Sequence, residues 1–490
     1  MLSIRYRAPS ILLTGRFLPS IILLFFLCSL GLPQSASADF NRAVENFAAE
    51  RYQPAMEEFA RLAELGHTGS QFNVGAMYFL GQGVDKNIIE AYGWIALAAE
   101  DNHVTAVTLR DRLWNRFNSD ERAQAESRFV ELQKSYGTAA LQDSLWPILK
   151  AEQPALNTDV EGVPNRAPEY PKRALNLRIE GVVDIEYTLD AKGYVSDFFV
   201  TDSSQKLFKT PTLEAVQFWR FAPVLIDGKA IDIPAQTKRI QFRIESVNQP
   251  AGTADFLQEQ NLRELRTLAE AGEPMDMFTY AHALILEQEN AAAAEEANHW
   301  YLQAGRAGLS EAQYQLGRHL AYGIGCARDI QKARRWLTLA AEAGLPNAQY
   351  VLALLLQDSD PEASMTWLDR AVAAQLPVAV VKKAWWLATH SDDQFRAGDE
   401  ALKLIKRQIK NYPDTLTARR TLAASQAASG HFSAAVTTQQ EVIKLAKKFA
   451  RPVAIEEQRL AAYQEQRVWR EPASTGELVP EHEEDSTHET

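Results

Sequence analysis

The chain has 490 residues, more than one compact domain usually holds, so several structural units are expected. Hydrophobic residues make up 46% and charged residues 23%, which excludes a chain that is disordered throughout. The net charge of −12 argues against nucleic acid or an anionic membrane surface as the main partner. With Cys28 and Cys326 as the two cysteines, a disulfide framework and a CxxC-type zinc or redox site are excluded.

The N-terminus has the pattern of an export signal. Its first 38 residues contain three arginines and no acidic residue, with an apolar run at Phe17–Leu32 and the small-residue sequence Ala36-Ser37-Ala38. These features are typical of a secretory signal peptide, so we expect a leader over 1–38 and a mature chain that begins at Asp39. The apolar run is shorter than most membrane-spanning helices. An uncleaved inner-membrane anchor is the alternative.

Two stretches of the chain repeat the same residues at a constant offset of 242 positions. The repeating unit is 36 residues long, and the same spacing separates Gly272 from Gly308. Small residues let two helices approach closely and glycines reverse the chain, so each unit predicts a helical hairpin. The matched residues are Gly66, Gly75, Gly81, Gly83, Ala91, Trp94 and Ala98-Ala99 in the first stretch, and Gly308, Gly317, Gly323, Gly325, Ala333, Trp336 and Ala340-Ala341 in the second.

These residues resemble the Sel-like repeat (SLR), a relative of the tetratricopeptide repeat (TPR). The resemblance implies stacked helical hairpins that form an α-solenoid, with one array over 39–150 and a second over 261–390. A further pattern around Gly430 resembles a tetratricopeptide repeat and predicts TPR-like helices over 391–470. The final residues, 471–490, contain seven acidic residues and no basic one, which predicts an acidic disordered tail.

Between the two arrays the periodicity changes from that of a helix to that of a strand. Apolar and polar residues alternate from Val183 to Leu189, which predicts a half-buried strand. The sequence Asp190-Ala191-Lys192-Gly193 predicts a hairpin turn that leads to a second strand at Val195–Thr201. A helix is expected to follow, with Thr210 as its N-cap and Pro211 in its first turn. A last strand is expected at Lys238–Glu245.

A dense set of short motifs runs through this island: Tyr170-Pro171, Ala174, Ile179-Glu180-Gly181, Gly193, Val195, Ser203-Ser204, Ala215-Val216, Trp219-Arg220-Phe221, Pro223 and Gly228. Together they are similar to the C-terminal domain of TonB-family proteins. The resemblance implies a small αββαβ domain over 169–246, joined to the arrays by linkers at 151–168 and 247–260. In the energy transducers of this family, the last strand lies at a sheet edge and receives the extended TonB-box peptide of outer-membrane receptors.

The resemblance implies one candidate binding site, the edge strand. Ile240, Phe242 and Ile244 are expected to face inward, and Arg239, Gln241 and Arg243 are expected to face outward. An exposed edge invites strand pairing, so its charges either block aggregation or favour an acidic extended peptide, and the two roles are compatible. By position, the docking residues are Lys238, Arg239, Ile240, Gln241, Phe242, Arg243, Ile244 and Glu245.

No motif in the chain predicts catalysis. The nine histidines are scattered without metal-ligand spacing, so no metal site is expected, and His67 and His103 are expected in turns between helices. The Gly-x-Gly pairs lack the lysine of a phosphate loop. Trp219 and Phe221 are expected in the core, and for Trp385-Trp386 core packing is favoured over an anchor in a groove. We therefore expect neither an enzyme nor a cofactor.

The sequence predicts a multidomain α+β protein in which an α-solenoid flanks a TonB-like domain. Its expected function is a periplasmic adaptor or scaffold of a Gram-negative bacterium, which binds periplasmic or outer-membrane proteins through extended peptides or helical segments. The alternative is a TonB-type energy transducer that acts on outer-membrane receptors and is anchored in the inner membrane. The chain lacks a long Pro-rich spacer and its TonB-like domain is internal, which favours the adaptor. The concave face of the second array is expected to offer an extended binding surface.

Overall fold

The computed structural model describes residues 40–101, 103–150, 160, 165–226, 228–244, 253–288, 290–411 and 415–471. The predicted leader, most of the first linker and the acidic tail beyond Glu471 lie outside these residues. Within the described ranges, no helix is both long enough and apolar enough to cross a membrane. These ranges belong to one compact unit, so the strand island and the helices pack together.

The chain is helical before and after a central segment that contains the five strands of the described residues. The first helices are α1 (Phe40–Ala48), α2 (Tyr52–Glu64), α3 (Thr68–Leu80), α4 (Ile88–Glu100), α5 (Val104–Trp114), α6 (Ser119–Tyr136) and α7 (Thr138–Ser144). The central elements are α8 (Lys172–Asn176), β1 (Gly181–Leu189), β2 (Val195–Ser203), α9 (Lys209–Val216), β3 (Leu225–Ile226), β4 (Lys229–Ala230) and β5 (Ile233–Phe242). The last helices are α10 (Thr253–Ala269), α11 (Pro274–Gln288), α12 (Ala291–Arg306), α13 (Ser310–Tyr322), α14 (Ile330–Glu342), α15 (Pro346–Leu356), α16 (Pro361–Ala373), α17 (Pro377–Thr389), α18 (Gly398–Asn411), α19 (Leu416–Ala428), α20 (Phe432–Lys448) and α21 (Ala454–Gln464).

The helix bounds follow the repeat that the sequence predicts. Both ends of α3 and α4 recur in α13 and α14 at the same offset of 242 residues. The second glycine of each Gly-x-Gly turn has a left-handed backbone, with φ of 74° at Gly83 and 63° at Gly325. A Cβ atom on Gly325 would lie 2.3 Å from the carbonyl carbon of Ala294, in the preceding hairpin. Glycine is therefore required there by both conformation and space.

The predicted turn role of two histidines is confirmed. His67 is the N-cap of α3 and His103 the N-cap of α5, and each ring accepts a hydrogen bond from the backbone N–H three residues further on. An imidazole accepts such a bond only through its unprotonated nitrogen. Burial lowers the pKa of His67 to about 3, which keeps its ring neutral and able to cap the helix.

The strand island forms the expected αββαβ domain. Its three long strands make an antiparallel sheet in the order β2-β1-β5, and β3 and β4 form a separate short hairpin. One face of the sheet buries Ile185 and Val183 against the helices α8 and α9. Trp219 is 6% exposed and Phe221 is 2% exposed, so the predicted core role of both residues is confirmed.

Three predicted boundaries in and beside this domain are wrong. The helix before β3 begins at Lys209, directly after a 3-10 turn at Lys206–Phe208, so Thr210 lies inside it and caps nothing. The last strand runs over Ile233–Phe242 rather than from Lys238 to Glu245. The start of this strand is hard to predict because Pro234, a residue that is uncommon within strands, is its second residue. Beyond the end of the strand, the N–H of Ile244 donates to the side chain of Glu180 instead of pairing with β1. The linker predicted at 247–260 is shorter, because α10 begins at Thr253.

The second face of the sheet packs against the first helices of successive hairpins. Arg239 of β5 pairs with Glu287 of α11, and Glu186 of β1 accepts a hydrogen bond from Asn347 of α15. Glu186 is 7% exposed, although its alternation with apolar residues predicts a half-buried strand. Ala235 of β5 shares an apolar cluster with helices of the second array. The strand domain therefore covers part of the face that these helices form.

The two helical arrays also contact each other directly. The Lys332 ammonium of α14 donates to the carbonyl of Trp146 at 3.1 Å, just beyond α7. Arg306 at the end of α12 pairs with Asp101 at 3.0 Å and stacks on the ring of Trp146. A β-bridge joins Leu149 to Cys326. The strand domain is thus inserted in the chain between two arrays that dock on one another.

Candidate peptide-docking edge

The strand β5 lies at an edge of the three-stranded sheet. Within the described residues its one strand neighbour is β1, with which it pairs from Gly181↔Phe242 to Leu189↔Ile233. An edge strand carries backbone N–H and C=O groups that a further strand can pair with. The predicted docking residues that the structure describes therefore lie on this edge or directly after it, and Glu245 lies outside the described residues.

The register fixes which backbone groups of β5 point outward. The N–H of Val182 in β1 donates to the hydroxyl of Ser204, and its C=O accepts a hydrogen bond from the N–H of Ser204. Both backbone groups of Val182 therefore point to the β2 side of the sheet. The residue opposite Val182 on β5 is Gln241. In an antiparallel pair of strands, the backbone N–H and C=O groups of two opposite residues either point towards each other or both point away from each other. The N–H and C=O of Gln241 therefore point away from β1, to the edge at which no described strand pairs, and so do those of Arg239 two residues earlier.

The side chains of this edge alternate as the sequence predicts. Phe242 is 4% exposed and stacks on Phe208, with their ring centroids 4.1 Å apart. Ile240 packs against the same core, whereas Gln241 and Arg243 are exposed. Ile244 is half-buried just after the strand. A peptide that paired with this edge would meet the exposed Gln241 and Arg243 side chains.

Arg239 has an internal role that the sequence does not reveal. Its guanidinium binds both carboxylate oxygens of Asp184 at 2.8 Å and one of Glu287 at 2.9 Å. These hydrogen bonds raise the pKa of Arg239 above its usual value. Three of the five N–H donors of Arg239 are therefore bonded within the protein, which leaves its charge largely neutralised by Asp184 and Glu287. Asp184 and Glu287 lie 55 and 48 residues away in the chain, and no local motif marks either one.

Outside this edge, the described residues show no metal-binding group and no activated thiol. Among them, no group of three or more His, Cys, Asp or Glu side chains is placed to hold a metal ion. Burial raises the pKa of the Cys326 thiol to about 12, so it is not poised as a nucleophile. Trp386 is buried in the core as predicted, whereas Trp385 lines a cavity.

Comparisons with known proteins identify both kinds of module. Residues 166–244 match the family described as Gram-negative bacterial TonB protein C-terminal, and residues 68–103, 293–309 and 310–345 match the Sel1 repeat. The chain is 32% identical over 119 residues to Protein TonB of Vibrio cholerae, a match that covers 23% of this chain and 44% of that protein. It is 31% identical over 90 residues to Protein TonB of Pseudomonas aeruginosa, covering 18% and 26%. The matched part spans less than half the length of either relative.

Two solved structures are also similar to this chain. A Sel1 repeat protein from Oxalobacter formigenes is 20% identical, with a TM-score of 0.32, and the match covers 38% of this chain and 79% of that one. A protective antigen of uropathogenic Escherichia coli strains that displays an SLR fold is 13% identical, with a TM-score of 0.34, over 88% of this chain and 84% of that one. The family matches confirm both resemblances, and with them a fold of helical repeats that flank a TonB C-terminal-like domain. Both families are non-catalytic interaction domains.

Proposed function

We propose that this chain is a protein-interaction scaffold of the Gram-negative cell envelope, and that the edge of β5 binds an extended peptide segment of a partner protein. The observation that carries the proposal is the outward direction of the Arg239 and Gln241 backbone groups on a sheet that matches the TonB C-terminal family. In strand addition, main-chain hydrogen bonds supply the affinity and pockets for alternate side chains supply specificity.

The helical arrays support this edge in the proposed function. Arg239 ties β5 to α11, and Glu186 ties β1 to α15. Sites that are built on rigid elements hold their geometry better than sites on loops. A strand that is already fixed also loses less conformational freedom when a partner binds, which favours affinity.

A TonB-type energy transducer is the second candidate function, and the matches to two TonB proteins favour it. In that function, the TonB-box peptide of an outer-membrane receptor would occupy the same edge of β5. Peptide binding therefore does not separate the two candidates. Cleavage or retention of the N-terminal leader separates them, because force transmission across the envelope requires a retained anchor.

A photo-crosslinking amino acid in place of Gln241 tests the docking edge in the full chain, produced in a Gram-negative host. We expect crosslinks to one extended segment of an envelope protein, located by mass spectrometry. The same amino acid at Leu225, which is 61% exposed in the separate hairpin, is the control. Equal crosslinking from both positions, or none from Gln241, would contradict the proposal.

A further inference from the structure

A cavity of about 230 Å³ lies at the opposite edge of the sheet from β5, between β2 and the helices α17, α19 and α21. Val378, Val381 and Trp385 of α17 line it. Their spacing of three and four residues places them on one face of the helix. The space is smaller than the roughly 300 Å³ typical of the smallest drug-sized pockets, so it fits a compact ligand.

Asp197 lines this cavity from β2, at a point where the strand is bulged. The pairing with β1 passes from Thr188↔Ser196 to Glu186↔Phe199, so β2 has one residue more than its partner. Asp197 has a left-handed backbone with φ of 48°, a conformation that few residues other than glycine adopt. Bulges of this kind redirect a side chain and are frequent beside functional sites.

Lys382 of α17 lines the same cavity, and its ammonium is a second charged group without an ion-pair partner among the described residues. Within the described residues, neither the Lys382 ammonium nor the Asp197 carboxylate has a hydrogen bond or an ion pair. Burial lowers the pKa of Lys382 and raises that of Asp197 to about 6. Asp197 and Lys382 are both half-buried, so their charges are only partly solvated. A ligand that carries both opposite charges would replace the lost hydration of each group.

The remaining charges around the cavity are already paired. Arg420 binds the buried carboxylate of Glu456 at 2.6 Å, and Arg459 binds Glu456 at 3.2 Å and Glu471 at 3.0 Å. Arg451 donates to the backbone carbonyl of Val195 at 2.6 Å. Of the charged side chains that line the cavity, Asp197 and Lys382 are therefore the two without a hydrogen bond or ion pair among the described residues. The charges of Asp232 and Asp358 also act on Lys382, and those of Asp197 and Lys382 act on each other.

We propose that this cavity binds a small zwitterion, a free α-amino acid or a dipeptide, whose ammonium pairs with Asp197 and whose carboxylate pairs with Lys382. The aliphatic and aromatic side chains of α17 would contact the ligand's side chain. An anion alone would leave Asp197 unpaired, and a cation alone would leave Lys382 unpaired. The site is independent of the β5 edge.

Isothermal titration calorimetry of the full chain with L-leucine, L-phenylalanine and glycyl-L-leucine tests the chemistry without any variant. We expect saturable binding of either the amino acids or the dipeptide, which identifies the source. Their methyl esters and N-acetyl derivatives, which each lack one charge, should bind at least about tenfold more weakly. No saturable binding below about 10 mM, or an ester that binds as tightly as its parent, would overturn the proposal.

Two variants then assign the charges. Asp197→Asn keeps a residue that tolerates the left-handed backbone, and Lys382→Met keeps most of the side-chain volume. Each should weaken binding at least about tenfold in a protein with an unchanged circular dichroism spectrum. The control is Lys383→Met, since Lys383 pairs with Asp369 at 2.7 Å and Glu400 at 2.8 Å instead. Unchanged binding by both folded variants would overturn the assignment.

Discussion

The indole N–H of Trp336 donates a hydrogen bond to the carbonyl of Leu145 at 2.9 Å, across 191 residues of chain. Trp336 is 0% exposed and belongs to the same apolar core as Leu145 and residues of the strand domain. This contact shows why the inserted domain does not separate the arrays. The first array ends where it can pack on the second, and the sheet covers the helices beside that junction.

Replacing Trp336 by alanine should therefore weaken more than its own repeat. We expect a loss of roughly 3–5 kcal/mol in the free energy of unfolding, as for other buried aromatic truncations, and faster hydrogen exchange in residues 138–150. Trp336→Phe retains most of the ring and should lose less. A melting shift for Trp336→Ala no larger than that of the exposed-site control Gln331→Ala would show that the contact does not stabilise the fold.

Glu186 should make the stability of the docked sheet depend on pH. Burial raises the pKa of Glu186 from 4.5 to about 7, against the opposing effect of Arg318 on α13. Because the folded-state pKa is the higher one, the carboxyl stabilises the fold at low pH and this contribution is lost as pH rises through 7.

Denaturant unfolding of the wild type and of Glu186→Gln at pH 5 and pH 8 measures this effect. The difference between the two proteins cancels contributions from other groups, including the buried histidines. We expect the wild type to lose roughly 2 kcal/mol relative to Glu186→Gln between the two pH values. A difference that does not change with pH would show that the carboxyl is not buried in the folded protein.

A pair of glycine variants separates the two reasons for glycine in the turns. Gly430 has a φ of 78° and nothing within 4 Å of an added Cβ, so Gly430→Ala should cost roughly 1–2 kcal/mol through backbone strain alone. Gly325→Ala adds a clash with the backbone of Ala294 and should destabilise the protein more. Equal losses in thermal unfolding would mean that adjacent hairpins do not approach as closely as described.

The mature N-terminus decides between the two candidate functions. We predict that the exported protein begins at Asp39, after the small residues Ala36-Ser37-Ala38. N-terminal sequencing of protein recovered from a Gram-negative host measures this directly. An intact Met1 or Leu2 would indicate a retained anchor and would favour the transducer.

The sequence predicts most of the local structure, because repeat spacing and alternation are local properties. The 36-residue unit anticipates the hairpins of both arrays, and the alternation at Val183–Leu189 anticipates β1. The candidate edge is also predictable, through its resemblance to a domain of known topology. The ends of this strand are less predictable, because Pro234 near its start is a residue that is uncommon within strands.

What covers a surface cannot be read from such local patterns. The partner of Glu186 on α15 lies 161 residues away, and Arg239 is tied to an acid on α11 that is 48 residues away. The bulge at Asp197 interrupts an otherwise ordinary strand sequence. These features depend on how the domain docks on the arrays, so the polar residues of β1 and β5 are indistinguishable in the sequence from residues that face water.

Binding of the crosslinked partner peptide by Gln241→Pro tests the central claim most directly. Proline removes one outward N–H of β5 and leaves the inward pairs of Ile240 with Val183 and of Phe242 with Gly181. The matched control Gln241→Ala keeps the N–H. With both variants folded by circular dichroism, we predict at least about tenfold weaker binding for Gln241→Pro and nearly unchanged binding for Gln241→Ala. Wild-type affinity in the folded proline variant would contradict strand addition at this edge.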